Sequence, residues 1–191
     1  MAVAYRNLVD DFESARGAAA FLKVVAEEGG GGYRGALFLV NALGEPLEFT
    51  YSRVEIKQPL LWRSDGLRRN AARQLAAALF DACPRVPALL LCLAGEVDVE
   101  LFTEDVEVSV KVARIAPEDA LVGVTAAEER ELAGSEAPLQ LFWVGGAPAQ
   151  ESRERGLIDA LARRGLLLEP FERAEVGIRE VYGQVVGSRL G

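Results

Sequence analysis

Apolar and polar positions along this chain follow two periods, and the places where one gives way to the other mark its elements. From Phe12, apolar residues fall at Phe12, Ala15, Ala19, Leu22 and Ala26, while Glu13, Arg16, Lys23 and Glu27 share another face. That spacing predicts a helix ending at Gly29, with Lys23 and Glu27 as an i,i+4 pair. A strand over 21–26 is the competing reading, because Gly17 weakens the helix. Two β-rich runs, 36–40 and 47–51, flank the turn residues "NALGEP" and predict a hairpin. A helix over 67–82 follows, with Ser64 or Asp65 as its cap. Its first half carries Arg68, Arg69 and Arg73; its second half, "LAAALF", is apolar almost all round and must be covered on more than one side.

"ALLLCL" over 88–93 has the continuous apolarity of a strand buried on both faces. "VDVELFTEDVEVSVKV" alternates and predicts a hairpin turning at Glu104 and Asp105, with Asp98 opposite Lys111, Glu100 opposite Ser109 and Val99 opposite Val110. Beyond it the pattern predicts a short helix over 126–133, a strand over 139–144, a helix over 151–164 capped by Gly165, a short strand "LLLE", and a final helix over 171–185. Phe171, Ala174, Ile178, Val181 and Val185 share one face of that last helix. The fold class is therefore mixed α/β, an antiparallel-rich sheet covered by helices, with a strand-helix-strand-helix extension at its end. The expected division is a domain over 1–117 and an extension over 118–191, with the seam within 117–137; the alternative is that the extension packs into the same domain.

Four consecutive glycines, Gly29 to Gly32, raise the question of a phosphate cradle. Such a loop needs a strand before it and a helix N-terminus after it. The predicted order is the reverse, with no Lys-Ser/Thr ending, so the glycines read as a connector. The "VGGAPAQE" loop has the better order, but it lacks a basic or hydroxyl residue placed for phosphate. Its helix opens with Glu151, which would repel an anion. It reads as a tight turn.

Composition narrows the chemistry. In 191 residues there is no histidine, which excludes a Ser-His-Asp or Cys-His nucleophile and the commonest metal ligand. Cys83 and Cys92 stand nine positions apart without a C-x-x-C and read as small buried hydrophobes. The acids Glu96, Asp98, Glu100, Glu104, Asp105 and Glu107 lack calcium-loop spacing and read as a solvated sheet face. No catalytic, cofactor-binding or metal-ligating residue is assigned. A net charge of −8 gives no bulk attraction for phosphate backbones, so nucleic acid is an unlikely partner on this reading. No run approaches the roughly 18 apolar residues of a membrane span, so the reading is cytoplasmic. Arginine outnumbers lysine 18 to 3, a bias of the kind GC-rich and heat-adapted sources show.

"YRGALFLVNALGEPLE" as a hairpin with a glycine-bearing turn, followed by "AARQLAAALF", resembles the roadblock and longin order of profilin-like domains over about residues 1–115. The resemblance implies a non-catalytic scaffold or regulator, often of small GTPases, dimerising through its second helix and the following strand. Leu75, Ala78, Leu79, Phe80, Leu89 and Leu91 would then meet a second copy. Trp62 with Arg68, Arg69 and Arg73, the basic cluster beside a large aromatic, is the candidate surface for an acidic partner or a phosphate. The leading expectation is a protein-interaction module, homodimeric and without cofactors. The alternative is an enzyme that binds a small molecule or phosphate ligand through carboxylates and arginines near the loop at Gly145 and Gly146.

Overall fold

The computed structural model describes residues 17–57, 63–133 and 138–187. Ala19–Ala26 (β1) is a strand, the competing reading, and the helical part expected over 12–16 lies outside the described residues. Phe21, Leu22 and Val24 are β-favouring, and β1 is buried on both faces because strands flank it and helices cover it. Helical spacing arose by chance within a run whose two faces are both apolar. Gly32–Val40 (β2) pairs antiparallel with β1, so the four glycines join two strands. They are the connector expected, although of a hairpin. Pro46–Glu55 (β3) completes the expected second hairpin, with Asn41 Oδ1 accepting from the amides of Leu43 and Glu45 in the turn.

Ser64–Ala82 (α1) buries Ala71, Ala72, Leu75, Ala76 and Leu79. Ser64 and Asp65 lie inside its first turn; the cap position is Arg63, with no side-chain cap bond. Leu89–Leu93 (β4) is parallel to β1 on one side and to Lys111–Pro117 (β5) on the other. Glu128–Ala133 (β6) is a strand in place of the expected short helix, paired antiparallel with Leu139–Val144 (β7), which also pairs antiparallel with β5. Arg153–Arg163 (α2) and Glu169–Gly187 (α3) follow, as expected apart from the "LLLE" strand, which is a turn leading into α3. Gly165 takes the positive φ of +68° expected of a helix stop.

Among the described residues, seven strands form one mixed sheet, in the order β3-β2-β1-β4-β5-β7-β6. Side chains alternate between its faces. Leu22, Leu37, Leu90 and Val112 pack under Leu75 and Leu79 of α1, whereas Phe21, Leu91, Ile115 and Trp143 pack against Leu157 of α2 and Phe171 of α3.

The hairpin expected over 97–112 does not exist. Leu101–Asp105 is one π-helical turn, and only the segment from Lys111 is a strand. Val97, Leu101 and Phe102 are buried in the α1-side core, and Asp98, Glu104 and Asp105 turn outward to Arg68 and Arg69. The alternation was real, but three-dimensional burial, not strand pairing, explains it.

Candidate functional site

In an open sheet with parallel strands, the crevice for a ligand opens beyond the strands' carboxyl ends, where neighbouring connections leave in opposite directions. Here that point lies between β1, which leads to β2, and β4, which leads towards β5 on the other side. A cleft of about 850 Å³ opens there. Leu93, Ile115, Leu168 and Phe171 give it an apolar floor, and its charged lining has five carboxylates against two cations.

Lys23, near the end of β1, is the group on which the cleft is organised. Its neighbours Leu22 and Val24 point into the α1-side core, so alternation sends Lys23 to the opposite face, under α3. It is only 7% exposed. Its ammonium donates to Glu96, in the turn after β4, and forms an ion pair with Glu175 of α3 at 3.2 Å. Glu96 also accepts from the Val24 amide at 3.2 Å, and Glu175 is held by Arg179 at 2.7 Å. Burial pulls the Lys23 pKa down, but the bonds and charges of Glu96 and Glu175 outweigh it and the net direction is up. Lys23 in turn lowers the Glu175 pKa against the opposing effect of burial. The second cation, Arg114, is consumed structurally: Nε donates to Glu128 at 2.7 Å and Nη1 to the Val97 carbonyl at 3.2 Å. Asp98, Glu100 and Glu172 complete the acidic rim.

The residues singled out by sequence lie elsewhere. Trp62 is outside the described residues. Arg68 donates to Asp98 at 3.0 Å, Arg69 to Asp105 at 2.7 Å and to Glu104 at 2.6 Å, and Arg73 to Asn70 at 2.9 Å. Arg68 and Arg69 thus clamp the 94–110 segment onto α1. Of the acids expected on a solvated sheet face, Asp98, Glu104 and Asp105 are the other half of that clamp, and no three histidine, cysteine, aspartate or glutamate side chains converge as metal ligands among the described residues. Leu75, Leu79, Leu89 and Leu91 are buried within the single chain, Phe80 is half-buried and Ala78 is exposed, so the apolarity ascribed to a subunit contact is largely consumed by the chain's own sheet.

The loop at Gly145 and Gly146 follows β7, which runs against β5, and so sits at the far end of the sheet from the cleft. There Lys111 donates to the Gly146 carbonyl and Glu129 accepts from the Ala147 amide. Cys92 is buried, with its thiol pKa pushed up by that burial, and Cys83 is half-buried. Sequence reasoning missed Lys23 as a site residue. A charged residue within a run such as "AAFLKVVA", buried at every position but its end, was the available signal.

No protein-family model matches the sequence, and no curated protein matches it. Solved structures do. The chain superimposes on endonuclease V from Streptomyces avermitilis with a TM-score of 0.60, over 93% of this chain and 92% of that one, at 14% identity. It shares the endonuclease V fold. The Bacillus subtilis endonuclease V gives a TM-score of 0.57 at 12% identity, covering 98% of this chain and 88% of its own. The roadblock and longin resemblance is thereby corrected. That order required a leading helix where β1 stands, and a hairpin where the 94–110 segment folds under α1. With it falls the expectation of a non-catalytic interaction module, and the homodimer on α1 and β4 and the small-GTPase partner lose the resemblance that implied them. The exclusion of nucleic acid is corrected too, since both endonuclease V neighbours are named for acting on it. Net charge describes the whole molecule, and recognition is local. Among the described residues, no helix is long and apolar enough to cross a membrane.

Proposed function

We propose that this chain is a nucleic-acid-processing enzyme whose cleft, beyond the carboxyl ends of β1, β4 and β5, receives a nucleic-acid strand. The supporting observation is the coincidence of two facts. The endonuclease V fold extends over nearly the full length of this chain and of its neighbours, and the cleft of about 850 Å³ falls at the switch point of this chain's sheet. Lys23 supplies the cleft's positive charge for a phosphate oxygen, held in place by Glu96 and Glu175. The apolar side of the cleft at half-buried Leu168 offers a surface for a base. The two free thiols suit the reducing cytoplasm.

Labelled single-stranded and duplex DNA and RNA, titrated at low salt and followed by fluorescence anisotropy and denaturing gels, test this reading. Binding with a Kd at or below about 10 µM that weakens as salt rises is expected, together with shortened or altered strands on prolonged incubation. Lys23→Ala should weaken binding about ten-fold, equivalent to about 1.4 kcal/mol. Absence of both binding and strand processing for all four nucleic acids would remove the proposal.

A further inference from the structure

Enzymes that process phosphodiesters commonly clamp the reacting phosphate between carboxylate-held divalent ions, a device that needs clustered acidic ligands. This cleft has the acids but not that arrangement. Glu96 and Glu175, brought together from the β4 turn and from α3, are already bridged by the ammonium of Lys23. No three ligands converge among the described residues. A magnesium ion requires oxygens at about 2.0–2.1 Å in octahedral geometry, whereas an ammonium lying between two carboxylates fills that space and offsets one of their two charges. Resting on the reading above, we infer that Lys23 is the resident cation of the cleft: it stands where a divalent ion bridging Glu96 and Glu175 would stand, so that nucleic acid binds here without a divalent metal.

Three features support the inference. Lys23 is enclosed, so its charge is a fixed part of the site rather than a surface cation free to move away. Its pKa is raised, so it stays an ammonium at neutral pH. Each carboxylate also has a second support that does not depend on the lysine, Glu96 from the Val24 amide and Glu175 from Arg179. That last point makes the idea testable by exchanging one cation for another.

The experiment titrates Mn2+ into the purified chain by calorimetry, and in parallel measures DNA and RNA anisotropy in EDTA and in Mn2+. Wild type is expected to show no saturable Mn2+ binding, and equal nucleic-acid affinity in EDTA and in Mn2+. Lys23→Ala is expected to gain Mn2+ binding at least about ten-fold tighter than any seen in wild type. It should lose nucleic-acid affinity in EDTA and recover it in Mn2+, and the added Glu96→Gln change should abolish the gain. Stoichiometric Mn2+ binding by wild type that Glu96→Gln removes would overturn the inference without requiring any variant of Lys23. A folded Lys23→Ala protein, checked by circular dichroism, that gains no Mn2+ affinity would also overturn it. If Lys23→Ala fails to fold, Lys23→Met takes its place under the same criteria. Absence of nucleic-acid binding in every ion condition defeats the functional reading and with it the metal-free binding, while the metal titration still judges whether Lys23 holds the place of a divalent ion.

Discussion

Of the four glycines that join β1 to β2, three are needed for backbone reasons and one is not. Gly29 and Gly30 hold φ values of +83° and +74°, which side chains rarely adopt. Gly32 has an ordinary φ, yet a Cβ there would lie 2.3 Å from the Val54 carbonyl oxygen of β3, a backbone atom that cannot swing aside. Gly31 has φ −74° and no close neighbour within 3.7 Å. Gly32→Ala should therefore cost about 1–3 kcal/mol by forcing two paired strands apart. Gly31→Ala should stay within about 0.5 kcal/mol of wild type, and urea unfolding of the two variants checks the contrast. Beside them, Glu27 accepts from Arg53 at 2.6 Å and from Arg34 at 2.7 Å, and its own side chain is nearly enclosed. The Arg53 hydrogen bond first, against burial and with help from Arg34, holds its carboxyl below the usual 4.5. A folded pKa below the unfolded one stabilises the protein above about pH 4.5, and the contribution is lost as pH falls through the folded value. Glu27→Gln should thus be less stable than wild type at neutral pH, and should lose less stability between about pH 5 and about pH 3. Denaturant titrations giving both proteins the same acid dependence would contradict the assignment.

At the scale of elements, the decisive unit is α1 with the 94–110 segment it holds down. Leu75 and Leu79 fill the sheet's α1 face, and Phe102 and Leu101 extend that core from the π-helical turn. Leu79→Ala should cost about 2–5 kcal/mol and shift thermal unfolding accordingly. Leu79→Arg should abolish cooperative unfolding, because the charge would be buried within one chain. A well-folded Leu79→Arg protein differing only in association state would restore the subunit-contact reading. The elements legible in the sequence were those whose period matched their surroundings: β2 with β3, α1, β4, β7, α2 and α3. Those misread were β1, β6, the 94–110 segment and the "LLLE" turn. In β1, apolar side chains on both faces mimic a helix. In the 94–110 segment, Val97 and Val99 alternate with acids because α1's arginines draw Asp98, Glu104 and Asp105 outward, not because a partner strand lies alongside. The edge strand β6 shows mostly charge, as edges do, and its Glu128 and Glu131 are spent on Arg114 and Arg155.

For the whole molecule, order in the sheet matters more than the number of strands. Only after β4 slots beside β1, and not beside β3, does a crevice open with Lys23 at its head. Each β1 partner of β4 is 70 residues away in sequence, and the register sets Leu22 against Cys92, which brings the turn at Glu96 over Lys23. The salt dependence of nucleic-acid binding belongs to this scale. A molecule of net charge −8 with an acidic rim around one enclosed ammonium should bind a polyanion with a shallow salt slope, few phosphates being neutralised. A steep slope, of the kind six or more contacts give, would point to a second basic surface rather than this cleft.

By itself the sequence determined the mixed α/β class, most helices and strands, the linker role of the glycine run, and the absence of imidazole chemistry. Each of these follows from local period, turn residues or composition, which act over a few neighbouring positions. Only the tertiary structure decided that β1 is central, that Asp98, Glu104 and Asp105 serve as clamps, and that Lys23, Glu96 and Glu175 share one cleft. Those outcomes depend on contacts between segments tens of residues apart, and such contacts leave no periodic mark on either segment.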